Sequence, residues 1–109
     1  MTPYEFGDLL LLNAFPYSNQ AQTKKRPALV LADTGDQDIL VARVTSEDPR
    51  DNYDIALSSW KENGLLLPSS LRLSKIVTLS KRLVVKKLGK LGSPDRRKVR
   101  SLLKKIFDL

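Results

Sequence analysis

Apolar residues along the chain fall mostly into short blocks separated by polar, proline- or glycine-marked breaks. "FGDLLLLNAF" is an apolar run that starts at Gly7-Asp8 and ends before Pro16. Its length suits a strand covered on both faces, as in a barrel wall or a subunit interface. "PYSNQAQTKK", residues 16–25, is polar and proline-led and reads as a loop. "RPALVLAD" reads as a second strand, with Pro27 tolerated only near its start or on an edge because it has no N–H to give a ladder. "TGDQD" has turn chemistry, and "ILVARVTS" follows as a third strand, so strands two and three form a hairpin. Alternation puts Ile39, Val41, Arg43 and Thr45 on one face and Leu40, Ala42 and Val44 on the other.

Beyond the polar loop "EDPRDN" the blocks become shorter. "YDIAL" is a short strand, and "SSWKENG" suits one helical turn ended by Gly64. "LLLPSSLRL" and "SKIVTLSKRLVVKKLG" read as further short strands with proline and serine between them. The pattern then changes period. In "SPDRRKVRSLLKKIFDL", Val99, Leu102, Leu103 and Ile106 recur at helical spacing, forming one apolar stripe. Ser93 is placed to cap this helix, Pro94 occupies its first position, and Asp95 complements the N-terminal dipole. Several short strands with one closing helix predict a mainly β fold, a small and strongly curved barrel.

Composition narrows the chemistry. At 109 residues with 41% hydrophobic and 28% charged, the chain is expected to form one globular domain, residues 1–109. With three Tyr, three Phe and one Trp, its core is mainly aliphatic. There is no Cys, which excludes disulfides and thiolate metal sites. There is no His, which removes the commonest metal ligand and the commonest general base. The four-leucine run has acidic flanks and no basic segment before it, so neither a signal peptide nor a membrane span is expected. A cytoplasmic protein is the default expectation.

The net charge of +7 is unevenly spread. Residues 1–80 carry 8 Lys/Arg against 10 Asp/Glu, a net −2. Residues 81–109 carry 11 Lys/Arg against 2 Asp, a net +9. Clustered cations suit phosphate chains or an acidic protein partner, although a solvated lysine surface looks the same in sequence.

Taken in order, "GDLLLL", a polar loop, "KKRPALVL", a strand ending "VTS", "GLLLPSSLRLSKIVTL" and "LGKLG" resemble the PemK/MazF-like toxins of toxin–antitoxin pairs. The likeness runs from about Gly7 to Phe107. It implies an SH3-like barrel, a homodimer, a cognate antitoxin, and endoribonuclease activity on single-stranded RNA that needs no metal or other cofactor. The catalytic arginine of that family precedes the strand proline, here Arg26, and its catalytic threonine ends the third strand, here Thr45, with Ser46 beside it. Some members place an arginine and an aspartate two residues apart further on; here that segment reads Arg72-Leu73-Ser74, so the aspartate is missing. The histidine that some members carry in the first loop is also absent.

The chemistry also stands on the residues. RNA carries its own nucleophile, the 2′-hydroxyl, so cleavage needs the phosphate held in line and its added charge stabilised. An arginine fork donates two hydrogen bonds to phosphate while staying charged. A threonine hydroxyl adds a donor on a stiff side chain. Because Arg26 opens strand two and Thr45 closes strand three, antiparallel pairing brings them to the same end of the sheet. Substrate contacts are expected from Ser46, Arg72, Lys24 and Lys25, with Tyr17 stacking on an unpaired base. Glu47, Asp48 and Asp51 are the carboxylates available as general base. The apolar stretches Leu9–Leu12 and Leu65–Leu67 are candidates for burial between subunits. Two other readings stay open: a toxin of the same fold that inhibits a protein such as gyrase, and an RNA-binding barrel without activity.

Overall fold

The computed structural model describes residues 3–13 and 25–109. Tyr17, Lys24 and the polar stretch that contains them lie outside the described residues, save Lys25 at its end. Six strands form one antiparallel sheet: β1 Asp8–Leu12, β2 Arg26–Ala32, β3 Asp38–Thr45, β4 Asp54–Ala56, β5 Ser70–Ser80 and β6 Val84–Lys90. Their spatial order is β4-β5-β3-β2-β1-β6. Helix α1, Ser93–Phe107, follows.

Both faces of the sheet are covered, which is why β1 to β3 read as dense apolar runs. On one face Leu9, Leu29, Ala42, Val44 and Leu71 pack with Val99 of α1, and Leu102, Leu103 and Ile106 lie against them as the stripe predicts. On the other face Leu10, Leu12, Ala28, Val30, Ile39, Val41 and Leu79 form a second cluster. The β3 alternation is as expected, with Ile39 and Val41 on this second face and Ala42 and Val44 on the first. Leu9, Leu10 and Leu12 have no exposed surface within a single chain, so their burial needs no second copy.

Two elements differ from the sequence pattern. "LLLPSSLRL" and the segment after it are not separate strands: Pro68 lies before β5, and from Ser70 the segment is one strand of 11 residues. Its register on β3 jumps from Ala42↔Ile76 to Arg43↔Arg72, leaving Leu73 to Lys75 as a bulge that turns the strand so its first residues also pair with β4. The break comes later than expected, at a single 3₁₀ turn, Lys81–Leu83, where Ser80 Oγ accepts from Arg82 N. At α1, Ser93 is already helical and Gly92 is the cap, because the Gly92 carbonyl accepts the first helical bond, from Arg96 N. Asp95 does more than face a dipole: it is buried and accepts from Ser58 N at 3.0 Å and Ser58 Oγ at 2.9 Å, tying α1 to the chain after β4.

No ladder joins β4 to β6. The segment between β4 and β5 stands against β6 instead, through a turn at 59–65 of the kind predicted for "SSWKENG". Leu65 N bonds to Trp60 O and Gly64 N to Lys61 O, the paired bonds of a helix ended by a left-handed residue, and Gly64 has φ +93°. A Cβ on Gly64 would lie 2.3 Å from Leu88 O, a backbone atom that cannot step aside. Gly64→Ala is therefore expected to cost about 2–4 kcal/mol, combining left-handed backbone strain with overpacking. Gly35 also has positive φ but has nothing within 4 Å of the added carbon, so Gly35→Ala is expected to cost only about 1–2 kcal/mol. Urea unfolding midpoints of the two variants check this contrast.

Candidate active site

Strands β2 and β3 pair with Leu29↔Ala42 and Ala28↔Arg43, and carrying that register two residues further sets Arg26 opposite Thr45. Both therefore lie on the face of the second apolar cluster, at the end where apolar residues give way to polar ones. The hairpin predicted from "RPALVLADTGDQDILVARVT" thus brings the two together.

They line one pocket of about 390 Å³. Its polar side is made by Lys25, Arg26, Thr45, Ser46, Ser69 and Lys86. Its apolar side includes Pro27, Val44, Leu65, Leu66, Leu67 and Leu88. Three cationic and three hydroxyl-bearing residues line this space, and no carboxylate among the described residues does. Arg26 is half-buried, and its Nε is enclosed with no hydrogen-bond partner among the described residues. Thr45 is nearly buried at 9% exposure; its Oγ1 accepts from Glu47 N at 3.2 Å, which fixes the hydroxyl and leaves its hydrogen to donate. A guanidinium with an unused donor and a hydroxyl lining one pocket, with apolar residues along its other side, is suited to an anion.

Not every expected residue gathers there. Lys25 and Ser46 are exposed at the pocket, whereas Arg72 is 3% exposed and does not line it. Arg72 reaches Asp54 Oδ2 with Nε at 3.4 Å and Glu47 Oε1 with Nη2 at 2.8 Å. The Asp54 carboxylate also accepts from Arg50 N at 2.8 Å. Arg72 thus holds β5, β4 and the 47–50 loop together. Ser74, where some members of the resembled family carry aspartate, faces a hollow beside α1 that contains neither Arg26 nor Thr45. Of the three carboxylates considered as base, Glu47 is engaged with Arg72, Asp51 accepts from Tyr53 N, and Asp48 is exposed. No three His, Cys, Asp or Glu side chains among the described residues come close enough to hold a metal ion.

Two larger hollows, each about 670 Å³, run along α1 between Asn52 and Lys105. Size does not select the site, because neither hollow holds the Arg26–Thr45 pair. Besides Ser69, Lys86 is the polar pocket residue that the sequence pattern does not mark. It sits in a basic run, "KK", and only the pairing Leu11↔Lys86 carries it to this end of the sheet.

Residues 5–107 match the family model of the PemK-like, MazF-like toxins of type II toxin–antitoxin systems. The chain belongs to this toxin family. Solved structures show the same fold at low identity. One is an endoribonuclease in complex with its cognate antitoxin from a mycobacterial species, at 17% identity and a TM-score of 0.75, covering 95% of this chain and 94% of that one. Another is the MazE–MazF complex from Deinococcus radiodurans, at 21% identity and TM-score 0.77, covering 97% and 96%. MazF from the same organism, at 20% identity and TM-score 0.75, is covered over the full length of both chains. Among curated proteins no sequence matches. The mainly β sheet with a C-terminal helix in this toxin is that of its MazF neighbours. None of its described helices is long and apolar enough to cross a membrane.

Proposed function

We propose that this toxin is an endoribonuclease that cuts single-stranded RNA, mRNA among it, through the RNA's own 2′-hydroxyl. The observation that carries the reading is the pocket itself, lined by Lys25, Arg26 and Lys86 together with Thr45, Ser46 and Ser69, and by no carboxylate among the described residues. Membership of the toxin family and fold neighbours that include an endoribonuclease support it. Arg26 binds the scissile phosphate with its fork, and Thr45 donates to a non-bridging oxygen. The 2′-oxygen attacks phosphorus in line, the bond to the 5′-oxygen breaks, and that oxygen leaves as a 5′-hydroxyl after taking a proton from water. The other product ends in a 2′,3′-cyclic phosphate. Neither His nor a carboxylate lines the pocket, and residues 14–24 contain no Asp, Glu or His, so the 2′-proton passes to water. The rate then comes from positioning and from stabilising the added charge on phosphate.

The working form is a homodimer of this one-domain toxin in the cytoplasm, held inactive by a cognate antitoxin. Leu66 and Leu67 stand 93% and 58% exposed on the pocket rim, where an apolar side chain from the antitoxin or from a second copy would cover them. An acidic antitoxin segment laid across Lys25, Arg26 and Lys86 would occupy the phosphate positions, so antitoxin and RNA would compete.

The test is to incubate the purified protein with a mixed single-stranded RNA in the presence of a chelator and map the ends. Cuts carrying a 5′-hydroxyl on the downstream fragment are expected. The proposal fails if wild type cuts no faster than Arg26→Ala. Thr45→Ala, which removes one donor and leaves the fork, is expected to lose about 10- to 100-fold in rate, with less effect on KM.

A further inference from the structure

We propose that Arg43 is a second phosphate ligand, which holds the RNA one residue away from the bond being cut. The inference rests on the RNA reading above. Its geometric basis is a row of residues directly opposite one another on four strands: Ala28 of β2, Arg43 of β3, Arg72 of β5 and Asp54 of β4. The adjacent row on the same face is Arg26, Thr45, Ser70 and Ala56, with Arg26 placed by extending the ladder. Arg43 is thus two residues from Thr45 along β3 and diagonal to Arg26. Two residues of strand span about 6.8 Å, comparable to the separation of neighbouring phosphates on a single strand.

The charges in these rows are unevenly answered. Arg72 has Asp54 on one side and Glu47 on another. Arg43 has Ala28 on one side and the cation Arg72 on the other, and it forms no ion pair among the described residues. Residues 14–24 contain no Asp or Glu that could supply one. Like charges directly opposite each other on a sheet destabilise it. Burial first, and then the nearby charges of Arg72 and Arg26, lower the Arg43 pKa from its ordinary value; Glu47 acts the other way and Arg50 adds to the lowering. Arg43 is thus a half-buried cation near two others, with no ion pair among the described residues to offset them. A phosphate bound between Arg43 and Arg26 would supply the missing counter-charge.

The test measures binding of a short single-stranded oligonucleotide with 2′-O-methyl at every position, which cannot be cut, across a range of salt. Wild type, Arg43→Gln and Arg43→Lys are compared, together with thermal melting of each. Arg43→Gln is expected to bind about 10-fold more weakly, and to lose about 0.7 from the slope of log affinity against log salt, as one phosphate contact on a single strand requires. Arg43→Lys keeps the charge and should keep the slope. Arg43→Gln should melt at the wild-type temperature or higher, because removal of a repelled cation relieves the row. An unchanged slope, a lower melting temperature or loss of the fold in Arg43→Gln would each overturn the proposal, as would failure of wild type to bind the strand. Wild-type binding without RNA cleavage would remove the nuclease reading and leave the Arg43 site standing. Cleavage with an unaltered Arg43→Gln slope would do the reverse.

Discussion

Replacing Arg26 by alanine is expected to slow RNA cleavage by about 100- to 1,000-fold, the usual loss when one preorganised donor to a developing charge is removed. The effect should fall on kcat as well as kcat/KM, because the fork is most needed when the phosphate carries its added charge. The melting temperature should hold or rise. Arg26 has no carboxylate partner among the described residues to lose, and its Nε is enclosed without a hydrogen bond. Arg26→Lys should recover only part of the rate, since a single ammonium cannot make the two parallel bonds of a guanidinium. Single-turnover cleavage with a melting curve for each variant checks both halves. A variant with wild-type rate would remove Arg26 from the chemistry, and one that melts far lower would make it structural.

The second large effect is on stability and lies at Asp54. Its carboxylate and the Arg72 guanidinium are both out of water, with side-chain exposures of 0% and 4%. Truncating Asp54 to alanine leaves a buried cation with Glu47 alone, whose side chain is 64% exposed. Breaking a buried pair from one side costs about 3–5 kcal/mol, a large fraction of the 5–15 kcal/mol that holds a domain of this size. A fall in melting temperature of about 10 °C or more is expected for Asp54→Ala. Glu47→Ala removes the solvent-screened partner and should cost no more than about 1 kcal/mol. Equal losses from the two variants would show that the burial difference does not govern this cluster.

The contrast between Arg26 and Arg72 shows what could be read from residues alone. The hairpin was legible because "RPALVLAD", "TGDQD" and "ILVARVTS" agree in period and turn chemistry, and antiparallel pairing then places Arg26 near Thr45 without further information. The helix was legible for the same reason, its stripe being local; its cap was misplaced by one residue because Ser93 and Gly92 are both acceptable caps, and only the bond from Arg96 N decides. Arg72 was expected at the substrate. Its carboxylate partners are Asp54 across a strand pair and Glu47 in a loop, and no local pattern announces such long-range pairing. Strand β5 was divided at Ser74 because a bulge that bends a strand leaves the same polar mark as a loop. Lys86 was missed because β6 reaches the pocket only through its register with β1. The position of Arg43 on the face of Thr45 was legible; what the sequence alone lacked was the pairing that sets it against Arg72.

The central claim is that the RNA supplies the nucleophile and the pocket supplies only charge and position. One measurement meets it directly: cleavage of a single-stranded RNA whose preferred cut site has been mapped, compared with the same strand bearing a single 2′-deoxy nucleotide on the 5′ side of that bond. Cleavage at that bond should vanish while cuts elsewhere in the strand continue, and the deoxy strand should compete with the RNA for binding. Cutting of the deoxy bond at an undiminished rate would contradict the account, because the nucleophile would then have to come from somewhere other than the RNA.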